Sequence, residues 1–257
     1  VSHHIVEVKD LEYRYPDRTP ALRGVSFRIE HGESVGVVGA NGAGKSTLLL
    51  HLNGCLFPER GSVRVGDYPV TRQTLSQTRR SVGTVFQDPN DQLFMPTVEE
   101  DVAFGPLNLQ LPPEEVEQRV VRSLESTNSL HLRQRPPYRL SGGEKRSVAI
   151  AAVLAMSPDI LVMDEPTSNL DPRARRRLMD LLAGFTHTKI IASHDLDMIL
   201  SLCSRTIVLH QGTIAADGPT TQVLADQELL LRSGLELPLS VQGCPVCGHP
   251  RAGHSPA

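Results

Sequence analysis

Apolar and polar residues alternate through "IVEVKDLEYRY" (5–15) and "GVSFRIEHGESVGVVG" (24–39), and Gly32 breaks the second stretch into two runs. A period of two sets one face of each run against a core, so the pattern predicts a β-rich opening. From about residue 39 the rhythm becomes strand, Gly-rich loop and helix. Short apolar strands follow, "SVGTVF", "DILVMD" and "KIIAS", separated by helical stretches. That alternation predicts a parallel sheet covered by helices.

Between Asp88 and Met156 the pattern is mainly helical. Thr97 followed by Glu100 makes a capping box, and "PPEEVEQRVVRSLES" places Val116, Val120 and Leu124 on one helical face. We read a helical insert over about 88–157, within a main domain of 1–217. "TIVLHQGTIAADG" reads as a hairpin and is followed by a helical segment from about Pro219 to Arg232. This segment defines a C-terminal extension of 218–237, ahead of a Cys/His-containing, poorly ordered tail of 238–257. No internal repeat, heptad array or low-complexity tract interrupts the chain.

Composition narrows the partners. A length of 257 residues with 39% hydrophobic content suits one large domain or two small ones. The balance of 26 basic and 29 acidic residues leaves no electrostatic footprint for nucleic acid. No stretch approaches the ~20 apolar residues of a membrane span. The longest uncharged apolar run, Val148 to Met156, reads as a buried helix, and "VSHHIVEVKD" lacks the apolar core of a signal peptide. The expectation is a cytosolic chain that does not itself cross a membrane. Cys55, Cys203, Cys244 and Cys247 lack the spacing of a secreted disulfide framework, so reduced thiols are expected.

"GVVGANGAGKST" matches the phosphate-loop pattern G-x-x-x-x-G-K-[ST] between a strand and a helix. Gly39, Ala40, Asn41, Gly42, Ala43 and Gly44 would turn backbone N–H groups toward phosphate oxygens. Lys45 adds a point charge, Ser46 a Mg²⁺ ligand, and Thr47 continues the helix. "ILVMDEP" delivers Asp164 and Glu165 at the end of a buried strand, the ligand edge of an α/β sheet. Asp164 suits the Mg²⁺ shell, and Glu165 is suited to orient or deprotonate an attacking water. His194, at the end of "ASH", should reach the same edge.

"LSGGE" (140–144) can be a plain helix start with Ser141 as N-cap, and the same features make an anion site at a helix N-terminus. With the phosphate loop, Gln87, "ILVMDEP", "SNLD" (168–171) and His194 in this order, residues 5–217 resemble an ABC-type ATPase subunit. The resemblance implies ATP and Mg²⁺ as cofactors, and a second copy that closes head to tail so that LSGG completes the other copy's site. It assigns Ser141, Gly142, Gly143 and Glu144 to the partner's nucleotide and Asp171 to the dimer seam. Gln87 is placed near Mg²⁺ and the water, and His194 near the γ-phosphate beside Glu165. Tyr15 becomes the adenine-stacking ring, although Tyr13 alternates with it and either ring could be core or surface. The chain departs from many relatives at Ser147, where Arg is common, and Asn169 occupies the variable position of "SNLD".

"QDPNDQLF" and "TVEEDVAFGPLNL" further resemble the ATPase subunits of energy-coupling-factor importers, particularly those for cobalt and nickel. The implied partners are a transmembrane coupling protein and a metal-binding membrane subunit, at the cytoplasmic face of the cell membrane, with cobalt ahead of nickel. A vitamin importer and a soluble ABC ATPase outside transport are the alternatives. Leu93, Phe94 and Met95 would seat the coupling protein, and Asp88, Asp91, Glu99, Glu100 and Asp101 would meet its basic residues. Alternatively Phe94 packs into the insert. In the tail, Cys244, Cys247, His249 and His254 could hold a transition metal, although zinc modules space their pairs more widely.

Overall fold

The computed structural model describes residues 4–168 and 170–242. The chain opens with β1 (His4–Arg14), β2 (Pro20–Glu30) and β3 (Ser34–Val38), then α1 (Lys45–Leu52), β4 (Arg60–Val65), β5 (Tyr68–Pro69), α2 (Leu75–Ser81) and β6 (Val82–Val85). Three longer helices follow, α3 (Val98–Asn108), α4 (Pro113–Ser126) and α5 (Gly142–Leu154). The second half alternates β7 (Ile160–Asp164), α6 (Pro172–Ala183), β8 (Thr188–Ala192), α7 (Leu196–Leu202) and β9 (Arg205–His210). It ends in β10 (Thr213–Pro219), α8 (Thr220–Val223) and α9 (Gln227–Arg232).

Two sheets form. The first, antiparallel, runs β2-β1-β4-β5, and the second runs β10-β9-β3-β8-β7-β6, parallel except for β10. The expected α/β phosphate-loop core with an antiparallel N-terminal layer is therefore present. The central strands β3, β7 and β8 are buried nearly throughout because both faces are covered. On one face Leu48, Leu49 and Leu52 of α1 pack between the two sheets. On the other, Leu178 and Leu182 of α6, Met198 and Ile199 of α7, and Leu229 and Leu230 of α9 share a second core.

Helices α3, α4 and α5 bury a core of their own, including Val98, Val102, Val116, Val120, Leu124 and Val148. The Thr97–Glu100 capping box forms as read from the sequence. The C-terminal helical segment is broken rather than continuous from Pro219 to Arg232. Asp226 leaves helical geometry and its carboxylate accepts from Leu229 N at 2.9 Å, starting a new helix there. Among the described residues no helix is long and apolar enough to cross a membrane.

Register aligns the functional edge. Ala192 of β8 stands opposite Val37 of β3 and Asp164 of β7, and Val85 of β6 stands opposite Met163. The residues that leave these strands, the loop from Gly39, Gln87, Glu165 and His194, therefore emerge on one side of the sheet.

Candidate functional site

The loop after β3 requires glycine where the chain passes close to itself. At Gly39 (φ 156°) a Cβ would sit 2.3 Å from Leu209 O, and at Gly44 (φ 107°) it would sit 2.7 Å from Ala21 O. Gly44 is also the N-cap of α1 and offers no side-chain acceptor, so the first-turn N–H groups keep no side-chain partner. Such a terminus attracts anions. Lys45 is buried and folds back on the loop, donating to Gly39 O at 2.7 Å and Ala40 O at 3.2 Å. Burial lowers its pKa, against the opposing pull of Glu165 and Asp164.

A cavity of about 390 Å³ lies over this loop, lined by Tyr15, Asn41, Gly42, Gly44, Ser46 and Thr47 together with Gln87, Asp164 and Glu165. The two tyrosines separate here. Tyr13 packs edge-on against the buried His51 at 4.8 Å, whereas Tyr15 is exposed at the cavity and its hydroxyl lies 2.8 Å from Thr47 Oγ1. Asp164 is buried, lies against the Ser46 hydroxyl, and its Oδ1 has no partner among the described residues. Burial, reinforced by Glu165, raises its pKa. A divalent cation would satisfy the orphaned oxygen and oppose that shift, so Ser46, Asp164 and the adjacent Gln87 amide fit Mg²⁺.

Glu165 takes a left-handed backbone (φ 47°) directly after β7, with its N–H held by Ala192 O at 2.8 Å. Its carboxylate is buried and held by three donors. Ser193 Oγ donates to Oε2 at 2.9 Å, His194 N donates to Oε1 at 3.0 Å, and His194 Nδ1 lies 2.8 Å from Oε2. Ser193 was not singled out in the sequence. Its only signal was its place between the strand end and His194.

The LSGG residues are not brought to this cavity. Ser141 caps α5 in a reciprocal box, with Glu144 N on Ser141 Oγ at 3.3 Å and Ser141 N on Glu144 Oε2 at 2.7 Å. Ser141, Gly143, Glu144 and Asp171 line a separate cavity of about 440 Å³ between α5 and α6, which also takes in Ser147. Asp171 caps α6 through Arg173 N and Ala174 N. At Gly142 an added Cβ would meet nothing within 4 Å, so contacts among the described residues do not demand a glycine there.

The stretch after Gln87 corrects two expectations. Leu93 is 9% exposed and belongs to the insert's core, while Phe94 is 62% exposed and stacks edge-on with Phe104 at 5.0 Å. Phe104 and Leu107 extend the exposed apolar surface. Asp101 faces inward, accepting from Phe94 N and Met95 N, both at 3.0 Å, and so is not available to a basic partner. Glu99 is paired with Arg133 at 2.6 Å, Glu100 closes its capping box and Asp88 holds Asn90. Asp91 stays exposed. Cys244, Cys247, His249, His254 and Asn169 lie outside the described residues.

The family model for ABC transporters matches residues 22–168, from within β2 through the carboxylates to the first residue of "SNLD". The chain belongs to the ABC transporter ATPase family. It is 69% identical over 248 residues to an ABC transporter ATP-binding protein of Geobacter sulfurreducens, covering 96% of this chain and 100% of that protein. It is also 48% identical over 239 residues to the energy-coupling factor transporter ATP-binding protein EcfA of Methanothermobacter thermautotrophicus, covering 91% and 77%. Among solved structures it resembles cbiO1 of Clostridium perfringens, part of the ABC transporter complex cbiONQ. There the TM-score is 0.78 and the identity 39%, over 90% of this chain and 94% of that one. This ABC ATPase is thus the ATP-hydrolysing subunit of an energy-coupling-factor transporter, with ATP and Mg²⁺ as its cofactors. ATPases of the family dimerise and work with membrane subunits.

Proposed function

We propose that this ATPase powers import of a transition-metal ion, cobalt ahead of nickel, from the cytoplasmic face of the cell membrane. In this reading Lys45 and the loop from Gly39 to Thr47 hold the phosphates, Ser46, Gln87 and Asp164 hold Mg²⁺, and Tyr15 stacks on adenine. Glu165 activates the attacking water, with His194 at the γ-phosphate. Ser141, Gly142, Gly143, Glu144 and Asp171 serve the nucleotide of a second copy bound head to tail.

The observation that carries this reading is the separation of the two anion sites. The phosphate loop and the LSGG terminus line different cavities of one chain, and Gly142 faces open space. A second copy that brings its LSGG terminus to the phosphate cavity uses both. Phe94, Phe104 and Leu107, exposed on the insert that follows Gln87, offer the membrane coupling protein an apolar seat. The choice of cargo is supported by the resemblance of residues 87–109 to cobalt and nickel uptake ATPases and by the likeness to cbiO1. The test is purification from native membranes with the copies' partners attached, followed by uptake in vesicles. ATP-dependent cobalt uptake that stops with Glu165→Gln is expected, and a co-purified subunit that takes up a vitamin instead overturns the cargo.

A further inference from the structure

Arg146 is 2% exposed, yet it forms no ion pair among the described residues. Its guanidinium is given to two backbone carbonyls sixty residues away, with Nη1 donating to Phe86 O at 2.6 Å and Nη2 to Gln87 O. Nε has no partner among the described residues, and the carboxylates of Asp88, Asp164 and Glu165 act on it only at longer range. Burying a cation against neutral acceptors is costly, so its place in the fold needs a reason beyond packing. From α5 these two bonds direct the guanidinium at the end of β6.

Arg146 is not alone. Lys145 Nζ donates to Asn90 Oδ1 at 2.7 Å, and Gln92 Nε2 donates to Ala149 O at 3.0 Å. Gln92 Oε1 also accepts from Phe86 N at 3.4 Å. The segment from Phe86 to Gln92 is therefore tied to α5, the helix that Ser141 caps. We propose that Arg146 is a positioning residue for Gln87. It fixes the backbone from which the Gln87 amide enters the phosphate cavity, and it locks that backbone to the helix carrying Ser141. Groups that serve the two nucleotides of a head-to-tail dimer then move as one body. The proposal rests on the roles given above to Gln87 and Ser141, and the experiment separates its failure from theirs.

Steady-state ATP hydrolysis is measured for the full chain and for Gln87→Ala, Arg146→Met, Arg146→Lys and the Gln87→Ala/Arg146→Met double variant. Misplacing a catalytic group by about an ångström costs up to roughly a hundredfold, so Arg146→Met should lower kcat about tenfold to a hundredfold with little change in the KM for ATP. Arg146→Lys, which can still donate to the carbonyls, should recover much of the loss. In the Gln87→Ala background, Arg146→Met should add less than about threefold, because residues that act through one another are not additive. If Gln87→Ala is slow and the two losses multiply, Arg146 does not act through Gln87 and the proposal falls alone. If Gln87→Ala turns over at the native rate, the role of Gln87 falls first and the proposal with it. Should Arg146→Met fail to fold, the same cycle is run with Arg146→Gln, which keeps one donor.

Discussion

His194 grips both oxygens of the buried Glu165 carboxylate, its backbone N–H donating to Oε1 at 3.0 Å and its Nδ1 lying 2.8 Å from Oε2. The imidazole is itself 66% exposed. One end of this pair is therefore fixed inside the sheet edge while the other stands free to meet a ligand. Asp195 extends the arrangement, because its N–H donates to Ser193 Oγ, which in turn holds Glu165, and its carboxylate takes a two-pronged contact from Arg175.

Replacing Glu165 with Gln keeps the shape of this arrangement and removes the base. ATP binding should persist, hydrolysis should fall by roughly a hundredfold or more, and an ATP-bound dimer should accumulate. Nucleotide binding, phosphate release and size-exclusion profiles measured together check all three outcomes. Native hydrolysis by the variant removes Glu165 from the chemistry.

Leu93 and Phe94 are neighbours with opposite fates. Leu93→Ala deletes a core contact of the insert and should cost about 2 to 5 kcal/mol, visible as a lower melting temperature of the isolated subunit. Phe94→Ser should leave melting and basal hydrolysis near native while weakening assembly with the membrane proteins. Removing one such anchor is worth roughly 1.5 to 3 kcal/mol, about a tenfold to hundredfold change in affinity. Assembly unchanged in Phe94→Ser would leave the exposed Phe94–Phe104 pair without its proposed partner.

Completion of the site in trans is tested by mixing. Ser141→Arg and Lys45→Ala should each be nearly inactive alone. Their mixture should regain hydrolysis, because a heterodimer then holds one site with both an intact loop and an intact LSGG terminus. Plotting activity against mixing ratio gives the answer, and full activity of Ser141→Arg on its own would argue against the sandwich.

Asp101 gives a pH prediction. Burial raises its carboxyl above the ordinary 3.8, outweighing the N–H groups of Phe94 and Met95 that favour the charged form. The folded protein then holds this proton more tightly than the unfolded chain. Its stabilising contribution is complete below the unfolded pKa and is lost as pH rises through the raised folded value. Asp101→Asn does not titrate, so the variant should gain on the native protein between pH 4 and neutrality. Urea unfolding of both across that range measures the difference, and a constant gap would show that Asp101 does not titrate there.

The contiguous motifs were legible because each depends on local backbone geometry. The glycines of the phosphate loop, the capping box at Thr97, the N-cap at Ser141 and the apolar strand ahead of Asp164 carry their reasons within a few residues of chain. The paired acids at 164 and 165 and the order of motifs were sufficient for the family. What sequence could not resolve was the facing of individual side chains. Tyr13 and Tyr15, or Leu93 and Phe94, differ in no local property that says which is buried. Tyr13 is decided by His51 on α1, and Leu93 by the core that α3, α4 and α5 build together.

The chain by itself determined the strand–loop–helix alternation, the phosphate loop and the carboxylates at a strand end, since short-range sterics and period already require them. Tertiary structure alone decided that Asp101 turns inward, that Ser193 joins His194 on Glu165, and that Arg146 reaches the carbonyls before and at Gln87. These contacts join residues 7 to 60 positions apart. Their existence depends on how strands and helices are packed, a global balance of burial and hydrogen bonding that no short stretch of sequence contains.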